Sequence, residues 1–354
     1  MTFINYKKWL VAAIFMSLII PACVAGINYY MDPLWCFSIS HRYNQKQDDF
    51  NERQQKTNYI TFHDFDYDGL IMGTSSTAGI NQHNFKELRV YNYSINALSV
   101  PEYLSYIQYA RENNGRDFRV IFLGLDFLLT AAGLPSPPFD SSKIFDETRS
   151  PLFRVKSLIS LSTLQFSRRN FMNYLYGRHI YYDRDNVKHT TKLDMKDTQF
   201  NMMRLIEHFE KSDKAYSFNN YKYNPGYRAT LQEIRDKAPA KNFVIFTSPV
   251  AKPFMTSMVR AGLLDEYERW IRDIVDVFGE CHNFMIPSRL TGDYMNNFHD
   301  PNHCYPFVAD TMIDAMYNSK DPEASGICIH ITRANIDVKL TYIRRLFREA
   351  AARN

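Results

Sequence analysis

The sequence predicts an α/β fold of three layers, a central parallel sheet covered by helices on both faces, with an N-terminal transmembrane helix and a helical insertion. Short apolar runs alternate with segments of helical period, the pattern of strands joined by crossover helices. One such run, Tyr67 to Met72, ends at Gly73, where a sharp turn would expose Ser75 at the carboxyl end of a buried strand. Ahead of all this, Trp9 to Ile27 is nineteen residues without a charge, about the length that crosses a bilayer.

Taken in order, residues 1–30 form the anchor. Lys7 and Lys8 precede the apolar run, so under the positive-inside rule they stay cytoplasmic, and everything from about Tyr30 lies in the periplasm or outside the cell. The competing reading is a cleaved signal peptide, with a site at Cys23-Val24-Ala25 or a lipoprotein signal ending Ile20-Pro21-Ala22-Cys23. The run is longer than the usual signal core, and proline suits neither site. Residues 31–66 mix charges and aromatics without period and read as a stalk.

The body, residues 67–320, opens with the strand before Ser75. Val90 to Ile95 reads as a second strand, Pro101 to Asn113 as a helix, Phe118 to Leu123 as a third strand and Lys241 to Ser248 as a fourth. Leu264, Tyr267, Ile271, Ile274, Val275 and Phe278 share one helical face, and a short strand follows near Asn283 to Ile286. An insertion at about 135–240, opened by Pro135 to Pro138, carries Tyr174, Tyr176, Tyr181, Tyr182 and the stretch Tyr216 to Tyr227. Either these tyrosines overhang the carboxyl edge of the sheet, exposed where they would stack on sugar rings, or they pack a helical subdomain. Residues 321–354 read as a C-terminal helical extension.

Composition limits the partners. The 354 residues are 45% hydrophobic, enough for one large core or two small ones. Lys and Arg total 42 against 38 Asp and Glu, and without a long basic block nucleic acid is not an expected partner. Cysteines at 23, 36, 281, 304 and 328 are too few for a disulfide scaffold, although one bridge among the last three is compatible with an oxidising compartment.

Two short segments carry chemistry. Gly73-Thr74-Ser75-Ser76 offers a hydroxyl at a strand end, and Asp300-Pro301-Asn302-His303 offers a carboxylate three residues before an imidazole. A serine hydroxyl is a poor nucleophile until a base takes its proton, and the base works best when a third group fixes its tautomer. A helix after Ser75 would add its N–H groups for a developing oxyanion. Each segment also has a plain structural reading: a Ser/Thr turn and helix cap for the first, and for the second a helix start with Asp300 as N-cap and Pro301 at its first position. His299 beside Asp300 and His303 hints at a metal pair, but no distant third ligand is identifiable, so no metal and no cofactor are expected.

In the order and setting of these motifs the chain resembles the SGNH (GDSL-type) hydrolase and acyltransferase superfamily over roughly residues 60–318, and within it the membrane-anchored bacterial polysaccharide O-acetyltransferase-like proteins. The resemblance implies Ser75 as nucleophile, His303 as acid–base and Asp300 as its orienting partner. It implies O-acetylation or ester hydrolysis on a surface or exported polysaccharide, with a multi-span membrane protein as acyl donor. The superfamily's second block supplies a glycine N–H to the oxyanion and its third an asparagine amide. Here Asn96-Ala97 and Asp126 stand in those places, so the hole would draw on Ser75, Asn96 or Ala97. A carboxylate cannot donate as the amide does. That departure is the best support for the alternative, a non-catalytic polysaccharide-binding module of an export or assembly complex, against which the retained Ser75, Asp300 and His303 argue.

Overall fold

The structure is a computed structural model that describes residues 6–134 and 140–352, and these form two compact units. The first takes residues 6–64 and 142–186, and the second takes 65–134, 140–141 and 187–352. Pro135 to Pro138, expected to open the insertion, lie outside the described residues.

In chain order the principal elements are α1 (Tyr6–Met31), α2 (Glu52–Phe62), β1 (Gly69–Met72), β2 (Val90–Asn92), α3 (Tyr103–Asn114), β3 (Phe118–Leu125), α4 (Phe153–Ile159), α5 (Leu161–Tyr176), α6 (Met195–Lys211), α7 (Tyr227–Lys237), β4 (Ala240–Thr247), α8 (Lys252–Arg260), α9 (Leu264–Phe278), β5 (Glu280–Asn283), β6 (Phe298–Asp300), β7 (His303–Cys304), α10 (Pro306–Ile313), β8 (Ile329–Thr332) and α11 (Ile336–Ala352).

The second unit is built on a six-stranded sheet in the order β8-β5-β4-β3-β1-β2. Five strands are parallel, and β8 joins the edge antiparallel to β5. The five run 2-1-3-4-5 in chain order, a doubly wound arrangement whose switch point lies between β1 and β3. Alternation sends Ile71, Phe122, Phe246 and Phe284 to one face, where Val308, Met312 and Ile313 of α10 complete an apolar cluster. The opposite face is covered by α3 against β1 and α9 against β5, with α7 between these helices. The face foreseen on α9 is buried apart from half-buried Phe278, and Trp270 and Val277 join it.

Several expectations need correction. β2 stops at Asn92 rather than Ile95, because Asn92 turns its amide to the loop after β1. The last parallel strand lies at Glu280–Asn283, earlier than expected. Residues 321–354 are not only helical, since Ile329–Thr332 supplies the antiparallel edge strand before α11. The insertion is not one subdomain: residues 142–186 belong to the first unit and 187–240 to the second. All five cysteines are free.

The expected stalk is the largest correction. Residues 31–64 fold with 142–186, and Trp35, Cys36, Asn44, Gln47, Asp48, Gln55 and Lys56 are buried. Charge and amide groups hold this unit. Arg184 meets Asp32 at 2.5 Å with both side chains nearly inaccessible, and Arg169 and Arg178 each meet buried Asp48 at 2.5 Å. The last turns of α1 join in, with the Asn28 amide donating to the Leu158 and Ser160 carbonyls at 2.8 and 3.0 Å. Earlier along α1 the apolar side chains from Trp9 to Ile20 are largely exposed, and the helix is long and apolar enough to span a membrane.

Candidate active site

Ser75 sits half-buried in the turn that leaves β1 at the sheet's carboxyl edge, beside the switch point. No helix follows it. A single turn forms instead, closed by the Thr77 and Ala78 N–H groups donating to the Thr74 carbonyl at 3.2 Å each. Gly73 and Gly124 make this tight turn possible, because a Cβ on either would collide with the Thr77 side chain wedged between them.

His303 and Asp300 come from a small antiparallel pair, β6 and β7, joined through Pro301-Asn302. Asp300 does not cap a helix: α10 begins later, with Tyr305 as its N-cap and Pro306 at its first position. Asp300 Oδ1 instead accepts from the Asn302 and His303 N–H groups at 3.0 and 2.9 Å, closing its own turn. The Ala251 N–H donates to the Pro301 carbonyl at 2.8 Å and pins that turn to the sheet side.

These elements bring all three predicted residues together. Ser75 Oγ lies 2.8 Å from His303 Nε2, and His303 Nδ1 lies 2.7 and 2.9 Å from the Asp300 oxygens. The imidazole therefore bridges hydroxyl and carboxylate through its two nitrogens, the arrangement that leaves Nε2 as the acceptor of the serine proton. Burial pushes the Asp300 carboxyl up, yet the attraction of His303, its hydrogen bond, His299 and the Asn302 N–H together hold it below the usual carboxylate range. His299 stacks parallel to His303 with ring centroids 5.5 Å apart. Burial drives its pKa down to about 4, against the pull of Asp300, so at neutral pH it is an uncharged neighbour rather than a second proton carrier.

The remaining predicted residues divide. Ala97 lines the cleft and holds φ at +53°, the left-handed region that glycine favours, while Asn96 is not among the lining residues. The Ser75 N–H meets no acceptor among the described residues. Asp126, at the end of β3, accepts from the Thr74 hydroxyl and, at 3.3 Å, from Ser76 Oγ, gripping the residues on both sides of the nucleophile.

Other residues of the framework went unread in the sequence. Buried Asn92 donates to the Thr77 and Ile80 carbonyls at 3.1 and 2.9 Å, and Thr77 Oγ1 donates to Ser94 Oγ at 2.7 Å. The Ile95 N–H bonds the Gly73 carbonyl at 3.1 Å. β2 thus fixes the turn that carries Ser75. A polar residue ending an otherwise apolar strand, as Asn92 does, was the available signal.

The cleft at Ser75 and His303 has a volume of about 360 Å³. Leu128, Leu129, Leu205, Phe209, Val250 and Phe254 form much of its wall, and His208 and Tyr216, 3.0 Å apart, also line it beside Phe209. Of the insertion's tyrosines only Tyr216 is there. Tyr182, Tyr221, Tyr223 and Tyr227 are buried core residues, so the packing reading holds for them. Ligand-type side chains gather elsewhere: Glu280, His282 and His330 lie within 4.8 Å of one another on β5 and β8, with Glu280 at the amino end of its strand and so away from the cleft.

The chain matches no family model, no curated protein and no solved structure.

Proposed function

We propose that this protein is a serine-dependent acyl-transfer enzyme of SGNH type, an O-acyltransferase or esterase acting on a cell-surface or exported polysaccharide. The single observation that carries the reading is the Ser75–His303–Asp300 chain of contacts at 2.8 and 2.7 Å, opening on a cleft at a sheet's switch point. His303 Nε2 takes the hydroxyl proton as Ser75 Oγ attacks the ester carbonyl. Asp300 holds the ring and stabilises the imidazolium, which then returns the proton to the leaving oxygen. The acyl-Ser75 ester is resolved by a sugar hydroxyl or by water through the same steps reversed.

The backbone N–H of Ser75 is the donor assigned to the oxyanion, and Ala97, with a left-handed φ where the superfamily has a glycine, lines the cleft beside it. Asp126 takes a different task from the amide expected at its position: it positions the nucleophile turn. That role accounts for the carboxylate without invoking a non-catalytic module. The polysaccharide, the multi-span membrane donor and a catalytic unit outside the cytoplasm rest on the resemblance and on Lys7-Lys8 in the first turn of α1, ahead of its apolar run.

A serine-reactive fluorophosphonate applied to the full chain tests the reading. Labelling should appear at Ser75 and vanish in Ser75→Ala, and cells carrying that variant should lose ester from their surface glycan. A well-folded wild-type protein that takes no label would sink it.

A further inference from the structure

Given acyl transfer through Ser75, the reading on which the inference rests, the walls of the cleft say more about the acyl group than about the acceptor. Beyond Ser75 and His303 the lining turns apolar on three separate elements: Leu128 and Leu129 after β3, Leu205 and Phe209 one turn apart on α6, and Val250 and Phe254 at the start of α8. Phe254 packs edge-on against Phe209 and Phe218 at centroid distances of 5.3 and 5.1 Å, so Phe218 backs the two phenylalanines that line the cleft and gives it a firm wall. A sugar ring set against this wall would lose its water without gaining hydrogen-bond partners, a costly exchange. An acetyl group would leave nearly all of the space wet. A buried cavity of about 150 Å³ lined by Leu, Ile and Phe already holds benzene, six carbons. The volume here, about 360 Å³, is more than twice that.

We infer that the acyl group transferred through Ser75 is a linear apolar chain longer than acetyl, of about six to ten carbons on the benzene scale with part of the open cleft left to the alcohol. The chain lies along Leu128, Leu205 and Phe254, and its carbonyl carbon sits at Ser75 Oγ. The Oγ–C bond forms as the donor's C–O bond, or the C–S bond of a thioester donor, breaks, and the hydroxyl proton passes through His303 to the departing oxygen or sulfur. The polar groups of His208 and Tyr216, which pack beside Phe209, are left for the acceptor.

The test uses the full chain in lipid nanodiscs, so that no detergent fills the cleft, and p-nitrophenyl esters from acetate to dodecanoate. Burying a methylene is worth about fourfold in kcat/KM when complete and about twofold in a half-open cleft. Octanoate should exceed acetate by at least tenfold. Leu205→Trp, at a half-exposed position, should lower the octanoate-to-acetate ratio at least fivefold while fluorophosphonate still labels Ser75. Transfer from an octanoyl thioester assigns a soluble donor and transfer from a dioctanoyl phospholipid a membrane one, and either supports the inference. A flat series, or one led by acetate, with normal Ser75 labelling overturns it and leaves the acyl-transfer reading standing. Ser75→Ala protein should also bind p-nitrophenyl octanoate at least tenfold more tightly than the acetate. Equal binding overturns the inference. Tight octanoate binding with no labelling of wild-type Ser75 supports the chain site and overturns the acyl-transfer reading instead.

Discussion

The two units reach a packed interior by opposite means. In the second, Ile71, Phe122, Phe246 and Phe284 stack on a sheet and α10 closes over them, so apolar area does most of the work. In the first, Asp32, Asp48, Glu52 and Lys56 are buried with their partners, and the aromatic rings of Trp35 and Tyr182 pack among them. Burying ions gains little net stability, but removing one partner strands the other. The first unit is therefore more fragile toward single polar substitutions, and the second toward changes in the volume of its glycines and core. The Ser75–His303–Asp300 cluster sits on the apolar scaffold, where the sheet edge carries Ser75 and a short antiparallel pair carries the other two.

The largest expected effect is at the site. Ser75→Ala and His303→Ala should each lower kcat/KM by about 10⁴-fold or more, and the double variant should be little worse, because nucleophile and base act as one unit. Ester hydrolysis alongside thermal unfolding measures this; additive losses would separate the two residues. Both variants should keep their melting temperature.

Next comes Arg184→Ala. It leaves buried Asp32 unpaired and removes donors from the Asp32 and Phe37 carbonyls, so about 3–5 kcal/mol should be lost. Segment-resolved hydrogen exchange should show the loss in residues 6–64 and 142–186. Equal loss of protection across the sheet would break the contrast between the units.

Asp126→Ala should be milder, about 10²-fold in kcat with a small change in KM, since a nucleophile shifted by about an ångström costs that much. An unchanged kcat would remove Asp126 from the positioning of Ser75.

The smallest effect is pH dependence. Burial lowers His282 and His299 to about 4 from an ordinary 6.5, so both are neutral when folded, and the stability this contributes is present above pH 6.5 and lost as pH falls. By pH 5 each should have cost about 1–2 kcal/mol in the second unit. Asp32 runs the other way: burial outweighs Arg184 and raises it to about 6, so its contribution is lost as pH rises from about 4 to 6. His63, lowered by burial, opposes Asp32 within the first unit. Acidification from pH 6.5 to 5 should thus weaken protection in the second unit more than in the first, and the reverse ranking would contradict these assignments.

What the sequence determined by itself is local. Strands β1, β3 and β4 are apolar runs bounded by turn residues, α9 shows a clear apolar face, and Asp300 with His303 closes its own turn through main-chain bonds that spacing alone makes possible. α1 announces itself by nineteen uncharged residues. Tertiary structure decided the rest. Residues 31–66 looked like a stalk because a buried Asp48 or Lys56 is indistinguishable in sequence from a solvated one until its partners, more than a hundred residues away, are in place. The edge strand Ile329–Thr332 is short and interrupted by His330, and only pairing with β5 makes it a strand. Tyr221, Tyr223 and Tyr227 fitted a sugar groove or a packed subdomain equally well in sequence, and the structure makes them core. The distance from Ser75 to His303 is itself a tertiary fact: two local motifs 228 residues apart meet at 2.8 Å because parallel β1 delivers Ser75 to the carboxyl edge of the sheet, where the Ala251 N–H holds the separate antiparallel turn that carries His303.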